Sequence, residues 1–150
     1  MQKITTFLWF NDQAEEAMQF YTSIFHDSAI HQISRAGDQV ISGTFQLEGQ
    51  SFMALNGGPH YSFTPAISLF VSCETQAEVD ELWERLLAGG GEESRCGWLK
   101  DKFGLSWQII PKTLGELMND KDPVKAQRVM NAMLGMKKIV IDELKRAYEG

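Results

Sequence analysis

The chain has 150 residues, of which 43% are hydrophobic and 23% charged, enough for one compact domain with its own apolar core. A net charge of -6 and a pI near 5.0 argue against nucleic acid as a partner, because binding to phosphates needs clustered Lys and Arg. The apolar runs are strand-sized and no export signal opens the chain, so the sequence predicts no membrane partner and a cytoplasmic location.

The first part of the chain reads as a strand, a helix and three further strands. An apolar stretch at 4–10 is followed by Asp12 and Glu15 in the spacing of a capping box, and apolar residues recur at helical spacing to about residue 26. Turn-forming pairs then separate β-like stretches at 29–34, 40–47 and 51–55. This order predicts a β-α-β-β-β module.

A second module of the same order is predicted after a loop at 56–63. A strand at 66–71 precedes Thr75-x-x-Glu78, which is the N-terminal signal of an amphipathic helix. The glycines at 89–91 end that helix. Short strands around 93–96, 98–100 and 105–110 complete the module, with a tight turn at 101–104 between the last two. The repeated order indicates an internal duplication.

The remainder of the chain, residues 113–150, reads as helices. Thr113-x-x-Glu116 has the spacing of another capping box, and Asp122 stands as an N-cap before Pro123. The apolar residues of this tail recur at helical spacing, which predicts that the tail packs on the body of the protein or on a second subunit.

Three stretches of the sequence carry a family resemblance. They are ALNGGP at 54–59, AISLFV at 66–71 and, above all, CGWLKDKFGLSWQI at 96–109. They closely resemble the PhnB-like group of the vicinal oxygen chelate superfamily, which contains glyoxalases, bleomycin-resistance proteins and dioxygenases. The group is often labelled 3-demethylubiquinone-9 3-methyltransferase. The resemblance extends over nearly the whole chain, including the tail around 130–138.

This resemblance implies an α+β fold in which two β-α-β-β-β modules form curled mixed sheets around a cavity, with a C-terminal helical tail in addition. The chain is then a single domain made of module 1 (about 1–60), module 2 (about 61–112) and the tail (about 113–150). The resemblance also implies a homodimer.

The methyltransferase label has no support in the residues. Methyltransferases that use S-adenosylmethionine ordinarily need a glycine-rich turn between a strand and a helix. The only glycine cluster, at 89–91, follows a helix and precedes a strand.

The resemblance places the metal ligands of metal-dependent relatives at one position on each of the first, fourth, fifth and eighth strands. These positions correspond to Thr5, Ala54, Ala66 and Gln108, and Thr and Ala offer a divalent cation few donors. The histidines at 26, 31 and 60 have no mutual ligand spacing and are expected to be surface or structural residues. We therefore expect neither a metal site nor a cofactor.

Alternation along the strands separates a wholly apolar face, expected against the helices, from a mixed face that is expected to line a pocket. A mostly apolar wall with a few neutral polar groups is typical of a small-molecule site. The alternative is that the aromatic side chains fill this space as core. The candidate ligand-binding residues are Thr5, Phe7, Trp9, Phe52, Asn56, Ser68, Phe70, Ser106 and Gln108.

No catalytic residue can be named from the sequence. Cys73 and Cys96 predict no disulfide, and Cys96 is expected to be an inert buried thiol. For Lys100 and Asp101 a turn-capping salt bridge is expected rather than proton transfer.

Three functions stay open. The first is a metal-independent small-molecule-binding protein. The second is an enzyme on a small metabolite, with a weakly held metal or substrate-assisted chemistry. The third is a dimeric domain with a vestigial pocket that serves protein interactions.

Overall fold

The computed structural model describes residues 2–150. The chain forms two compact units, a first unit that ends at Phe63 and a second unit, Thr64–Gly150. That the two units make a single domain stays a prediction.

The first unit is an open four-stranded sheet with one helix. Its elements are β1 (Thr6–Phe10), α1 (Ala14–Ile24), β2 (Ala29–Ala36), β3 (Gln39–Leu47) and β4 (Gln50–Asn56). The strand order is β1-β4-β3-β2, with β1 parallel to β4 and the other pairs antiparallel. This is the predicted β-α-β-β-β order.

Helix α1 packs on one face of this sheet. The predicted apolar stripe of the helix is buried, and so are the strand side chains opposite it. Gly43 of β3 allows the close approach, because a Cβ at this position would lie 2.6 Å from Met18 Cε. The buried residues of this core include Ala14, Ala17, Met18, Tyr21 and Ile24 of the helix and Leu8, Phe10, Phe45 and Phe52 of the sheet.

The start of α1 differs from the prediction. The N-cap is Gln13, whose side chain makes no capping bond, so the capping box of Asp12 and Glu15 is wrong. The backbone N–H of Ala14 instead donates to Oδ1 of Asn56 at 2.8 Å. The cap comes from the end of β4, and a local sequence pattern cannot show it.

The second unit repeats the order of elements. It contains β5 (Ser68–Cys73), α2 (Gln76–Leu87), β6 (Glu92–Glu93), β7 (Trp98–Lys100) and β8 (Ser106–Pro111). The sheet order is β5-β8-β7-β6, with β5 parallel to β8. Thr75 caps α2 as predicted, because its hydroxyl accepts from the N–H of Glu78 at 3.1 Å. The α+β class and the two β-α-β-β-β modules are therefore confirmed.

Three helices form the tail: α3 (Lys112–Met118), α4 (Pro123–Leu134) and α5 (Ile141–Glu149). Asp122 caps α4 as predicted, since its Oδ1 accepts from the N–H of Val124 at 2.9 Å. The capping box at Thr113 is wrong, because α3 follows β8 directly and its N-cap is Pro111.

The tail packs on the body of the second unit. Its buried residues form one cluster with a residue of β8, which confirms the predicted role of the apolar stripe. The N–H groups of Cys96 and Gly97 donate to the carbonyls of Met136 and Lys137, each at 2.8 Å. The cluster contains Ile110, Leu114, Val129, Met136, Ile139 and Leu144.

Among residues 2–150, no helix has the length and apolar character needed to span a membrane.

Candidate functional site

The register of the first sheet decides which side chains face away from α1. Residues of β1 and β4 lie side by side in the pairs Thr6 with Phe52, Leu8 with Ala54 and Phe10 with Asn56. Because paired residues share a face, Phe52 and Asn56 do not lie on the face of Phe7, where the sequence placed them. Both lie on the α1 face.

Phe52 and Asn56 have structural roles on that face. The ring of Phe52 is 5% exposed and stacks on Phe45 with the ring centroids 5.3 Å apart. Asn56 accepts from Ala14 at the start of α1 and donates from Nδ2 to the carbonyl of Val40 at 3.1 Å. A polar residue can thus lie on the helix face when it caps the helix, which is why the apolar-face rule failed for β4.

The face of the first sheet opposite α1, here called the open face, carries exposed apolar side chains. Phe7 is 51% exposed and Met53, its neighbour on β4, is 37% exposed. Thr44 of β3 pairs with Met53 and is half-buried. This confirms that Phe7 faces away from the helix.

Trp9 is largely engaged by the loop after β4. Its Nε1–H donates to the carbonyl of Gly58 at 2.9 Å, and its ring meets Tyr61 edge-on with the centroids 5.0 Å apart. A Cβ on Gly57 would lie 2.4 Å from the indole. The side chain therefore holds residues 57–61, and its binding of a ligand stays a prediction.

A cleft of about 280 Å³ opens in the first unit. Of the predicted candidates, Thr5 and Phe52 line it. The sequence interpretation missed the other lining residues, although the polar alternation of β3 at Ser42, Thr44 and Gln46 carries a signal for an open face. The lining residues are Gln2, Thr5, His31, Thr44, Phe45, Ser51, Phe52 and Met53.

In the second unit, four candidates share one sheet face. Ser68 pairs with Ser106 and Phe70 pairs with Gln108 across β5 and β8, so these four side chains lie on one face of the sheet. Nε2 of Gln108 donates to Oγ of Ser68 at 2.9 Å. Phe70 is 61% exposed and Ser106 is buried. Their binding of a ligand stays a prediction.

Asp101 holds the turn between β7 and β8. Its side chain is buried, and Oδ1 accepts from the N–H groups of Phe103 and Leu105 at 2.9 and 3.0 Å. Oδ2 accepts from Nε1 of Trp107 at 2.9 Å. The carboxylate holds the turn through N–H donors, and Lys100 is exposed. The expected salt bridge of Lys100 and Asp101 stays a prediction.

The two cysteines differ in burial. Cys73 is fully buried, and burial, together with the nearby Glu78, raises the pKa of its thiol to about 12. Cys96 is half-exposed in a left-handed backbone conformation with φ of 59°. The expectation of a buried thiol is therefore wrong for Cys96, and the inert thiol is Cys73.

The donors that metal-dependent relatives use are not assembled in the described part of the chain. Within residues 2–150 no group of three His, Cys, Asp or Glu side chains is arranged to hold a metal ion. Ala54 lies on the α1 face of β4 and Ala66 precedes β5, while Gln108 is bonded to Ser68. These residues do not fit a divalent cation.

The junctions between strands and helices do not fit an S-adenosylmethionine cradle. The segments that lead into α1 and α2 are Asn11-Asp12-Gln13 and Glu74-Thr75, and α3 follows β8 without a linker. None of these three junctions contains the glycines that let a backbone approach a nucleotide. Their residues therefore do not support methyl transfer from this cofactor.

A family model described as 3-demethylubiquinone-9 3-methyltransferase matches residues 2–110. The chain belongs to this family. The match ends at the end of β8, so the helical tail of this family member lies outside it, and the predicted resemblance at 130–138 is not confirmed. A search of the curated proteins found no match.

Solved structures agree with this assignment. A putative 3-demethylubiquinone-9 3-methyltransferase, PhnB protein, from Bacillus cereus is 43% identical, with a TM-score of 0.69 over 73% of this chain and 99% of that chain. Fosfomycin resistance protein FosX from Listeria monocytogenes, complexed with Mn(II) and sulfate, is 18% identical, with a TM-score of 0.54 over 71% and 89% of the chains.

A glyoxylase/bleomycin resistance protein/dioxygenase domain from Frankia sp. EAN1pec is 17% identical, with a TM-score of 0.50 over 74% of this chain and 92% of that chain. At such identities the last two similarities show the fold alone, which is the glyoxalase/bleomycin-resistance fold.

Proposed function

We propose that this chain is a metal-independent small-molecule-binding protein of the glyoxalase/bleomycin-resistance fold. The observation that carries the proposal is the exposure of aromatic rings on strands that also carry neutral hydrogen-bonding groups. Phe7 is 51% exposed in the first unit and Phe70 is 61% exposed in the second.

The polar groups near these rings suit an organic ligand. Thr5 is half-buried and lines the cleft of the first unit. In the second unit the amide of Gln108 and the hydroxyl of Ser68 form a pair. An apolar wall with a few orienting neutral groups is the composition of a small-molecule site.

Two observations favour an open site over a core plugged by aromatic side chains. Phe7 and Phe70 are more than half exposed, so they do not fill an interior. Phe52 belongs to the core beneath α1, and Trp9 holds a loop.

The chemistry of the donor set supports independence from metal. The resemblance aligns Thr5, Ala54 and Ala66 with ligand positions of metal-dependent relatives, and neither Thr nor Ala holds a divalent cation well. Ala54 also lies on the α1 face, which leaves it further from such a role. The amide of Gln108 remains, and one neutral oxygen does not retain such an ion.

The proposal includes a homodimer. The exposed rings of Phe7 and Phe70 would remain hydrated in a single copy, and a second copy would bury part of this apolar surface. Sedimentation of the full chain at two concentrations measures the state: a dimer is expected, and a monomer throughout would contradict this part.

A thermal-shift titration of chelator-treated protein against small aromatic and quinone-like compounds tests the proposal. We expect one class of compound to raise the melting temperature with saturation, since a ligand at about 100 times its Kd adds roughly 2.7 kcal/mol. Thr5→Val should remove this rise if the first unit holds the site, Gln108→Leu should remove it if the second unit does, and Gln127→Leu on exposed α4 should leave it. A panel without any shift, or a shift that needs added metal, would overturn the proposal.

A further inference from the structure

We infer that the cleft of the first unit binds an uncharged aromatic alcohol, with His31 accepting the hydrogen bond of its hydroxyl group. The inference rests on the proposed function, because it names the ligand class and the place on the open face. Three independent features of the cleft lead to it: a bulge in β2, the hydrogen bonding of His31 and the chemistry of the lining.

A bulge in β2 brings His31 to the cleft. Ile30 pairs with Phe45 and Gln32 pairs with Thr44, so His31 is the extra residue between two consecutive pairs. His31 and Thr44 line the cleft together with the buried Phe45. Bulges are enriched next to functional sites because they re-aim one side chain.

Neighbouring side chains fix which nitrogen of His31 donates. Nε2 of Gln46 donates to both the carbonyl and Oδ1 of Asp27, each at 3.0 Å. Oε1 of Gln46 is therefore an acceptor, and it lies 3.2 Å from Nε2 of His31. In the neutral ring Nε2 carries the proton and Nδ1 is left as an acceptor. A ligand that meets Nδ1 must bring an O–H or N–H donor.

The rest of the lining favours an uncharged ligand. None of the eight described lining residues is Lys, Arg, Asp or Glu, so nothing there compensates the desolvation of an ion. Thr5, Thr44 and Ser51 supply hydroxyl groups, and Met53 supplies a polarisable apolar surface that suits an aromatic ring.

The size of the cleft limits the ligand. Its volume of about 280 Å³ lies at the small end of ligand pockets, which hold roughly 300–1,000 Å³. A single aromatic ring with one hydroxyl group fits these three constraints of size, charge and donor.

Fluorine NMR with 4-fluorophenol on the full chain tests the inference. We expect saturable binding of 4-fluorophenol and at least tenfold weaker binding of 4-fluorotoluene and of 4-fluorobenzoate, which lack the hydroxyl or carry a charge. His31→Phe should weaken 4-fluorophenol at least fivefold. His60→Phe, at an exposed histidine outside the lining, should leave its affinity unchanged.

Thr44→Val, a substitution of nearly equal size, gives a second variant that should also weaken binding. If His31→Phe and Thr44→Val bind 4-fluorophenol like the unmodified chain, or if 4-fluorobenzoate binds more tightly, the inference is overturned. If only Gln108→Leu then lost binding of 4-fluorophenol, the proposed function would stand, and its site would lie in the second unit. If none of the three probes binds saturably, the inference is overturned. The proposed function is overturned separately, if no compound of its wider panel raises the melting temperature.

Discussion

Asn56 joins the end of β4 to the start of α1 through its side-chain amide. Oδ1 accepts from Ala14 at 2.8 Å and Nδ2 donates to the carbonyl of Val40 at 3.1 Å. Asn56→Ala removes a helix cap and a second hydrogen bond, so we expect the free energy of unfolding to fall by about 1–3 kcal/mol. Urea denaturation measures this loss.

Asn11→Ala is the matched control, since Asn11 is an exposed asparagine next to the same helix. It should change the free energy of unfolding by less than about 0.5 kcal/mol. Equal losses in the two variants would contradict the capping role of Asn56.

Cys73 and Cys96 should react at very different rates with a thiol reagent. Because the pKa of Cys73 is raised to about 12 by burial and by Glu78, almost no thiolate forms near neutral pH. In the folded protein we expect one thiol, Cys96, to react and Cys73 to react only in denaturant. Cys96→Ser should abolish the early phase; equal rates for both thiols without denaturant would contradict the assignment.

Single residues show where sequence reasoning stops. Phe7 and Phe70 could be placed correctly from strand alternation, because they follow the two-residue period of β1 and β5. Asn56 could not, because its partner Ala14 is 42 positions away in the sequence. His31 could not either, since a bulge interrupts the period at that residue.

At the scale of elements, Gln76 holds the segment between α4 and α5 against α2. Its Nε2 donates to the carbonyl of Ile139 at 3.0 Å and its Oε1 accepts from the N–H of Ile141 at 2.7 Å. Gln76→Leu leaves both backbone groups without these partners, so the segment should open more often. We expect amide hydrogen exchange at Ile141 to quicken at least tenfold.

Gln127→Leu provides the control for this change, since Gln127 is exposed on α4 and bonds only within that helix to Asn131. The exchange rate of Ile141 should stay the same in this variant. An unchanged rate in Gln76→Leu would show that apolar packing alone keeps the segment in place.

The tail should also loosen in acid. Hydrogen bonds from Lys138 and Gln76 lower the pKa of Asp80 below its ordinary value of 3.8. A carboxyl whose folded pKa is lowered stabilises the fold above its unfolded pKa, and this contribution is lost as the pH falls through the folded pKa. We expect exchange at Ile139 and Ile141 to rise below about pH 4 relative to pH 6, after correction for intrinsic rates.

Asp80→Asn removes the titrating group and should reduce this pH dependence. Asp142→Asn, at an exposed position on α5, should retain it. The side chain of Asp80 is 48% exposed, so solvent screening keeps the effect small. The same pH dependence in Asp80→Asn and the unmodified chain would contradict the role of this carboxylate.

The helix starts divide into those that sequence could predict and those that it could not. Thr75 and Asp122 cap α2 and α4 through bonds to residues two or three positions ahead, which a local pattern contains. The start of α1 takes its cap from another element, and α3 follows β8 without a polar N-cap. Spacing alone therefore gave false capping boxes at Asp12 and Thr113.

At the scale of the molecule, the repeated order of elements was predictable because each strand and helix carries its own periodicity. The family model confirms the assignment over residues 2–110. The tail is different, because the match to the Bacillus cereus structure covers 99% of that chain but only 73% of this one. Its packing could be predicted from its apolar stripe, and its resemblance to the family could not be confirmed.

The pocket was harder to predict than the fold, for a physical reason. A fold depends on many apolar contacts, so an error at one position in the sequence pattern does not change the prediction. A site depends on a few side chains, and a register error of one residue moves each of them to the other face of the strand. A one-residue difference in the assumed face of β4 placed Phe52 and Asn56 on the α1 face and not on the face of Phe7.

The most direct test of a metal-independent binding site is elemental analysis of the purified protein, joined to ligand titration before and after chelation. We expect less than a tenth of an equivalent of any divalent transition metal per chain, and an affinity for the bound organic compound that chelation and added metal leave unchanged. One equivalent of metal per chain, or an affinity that chelation abolishes and metal restores, would contradict the account.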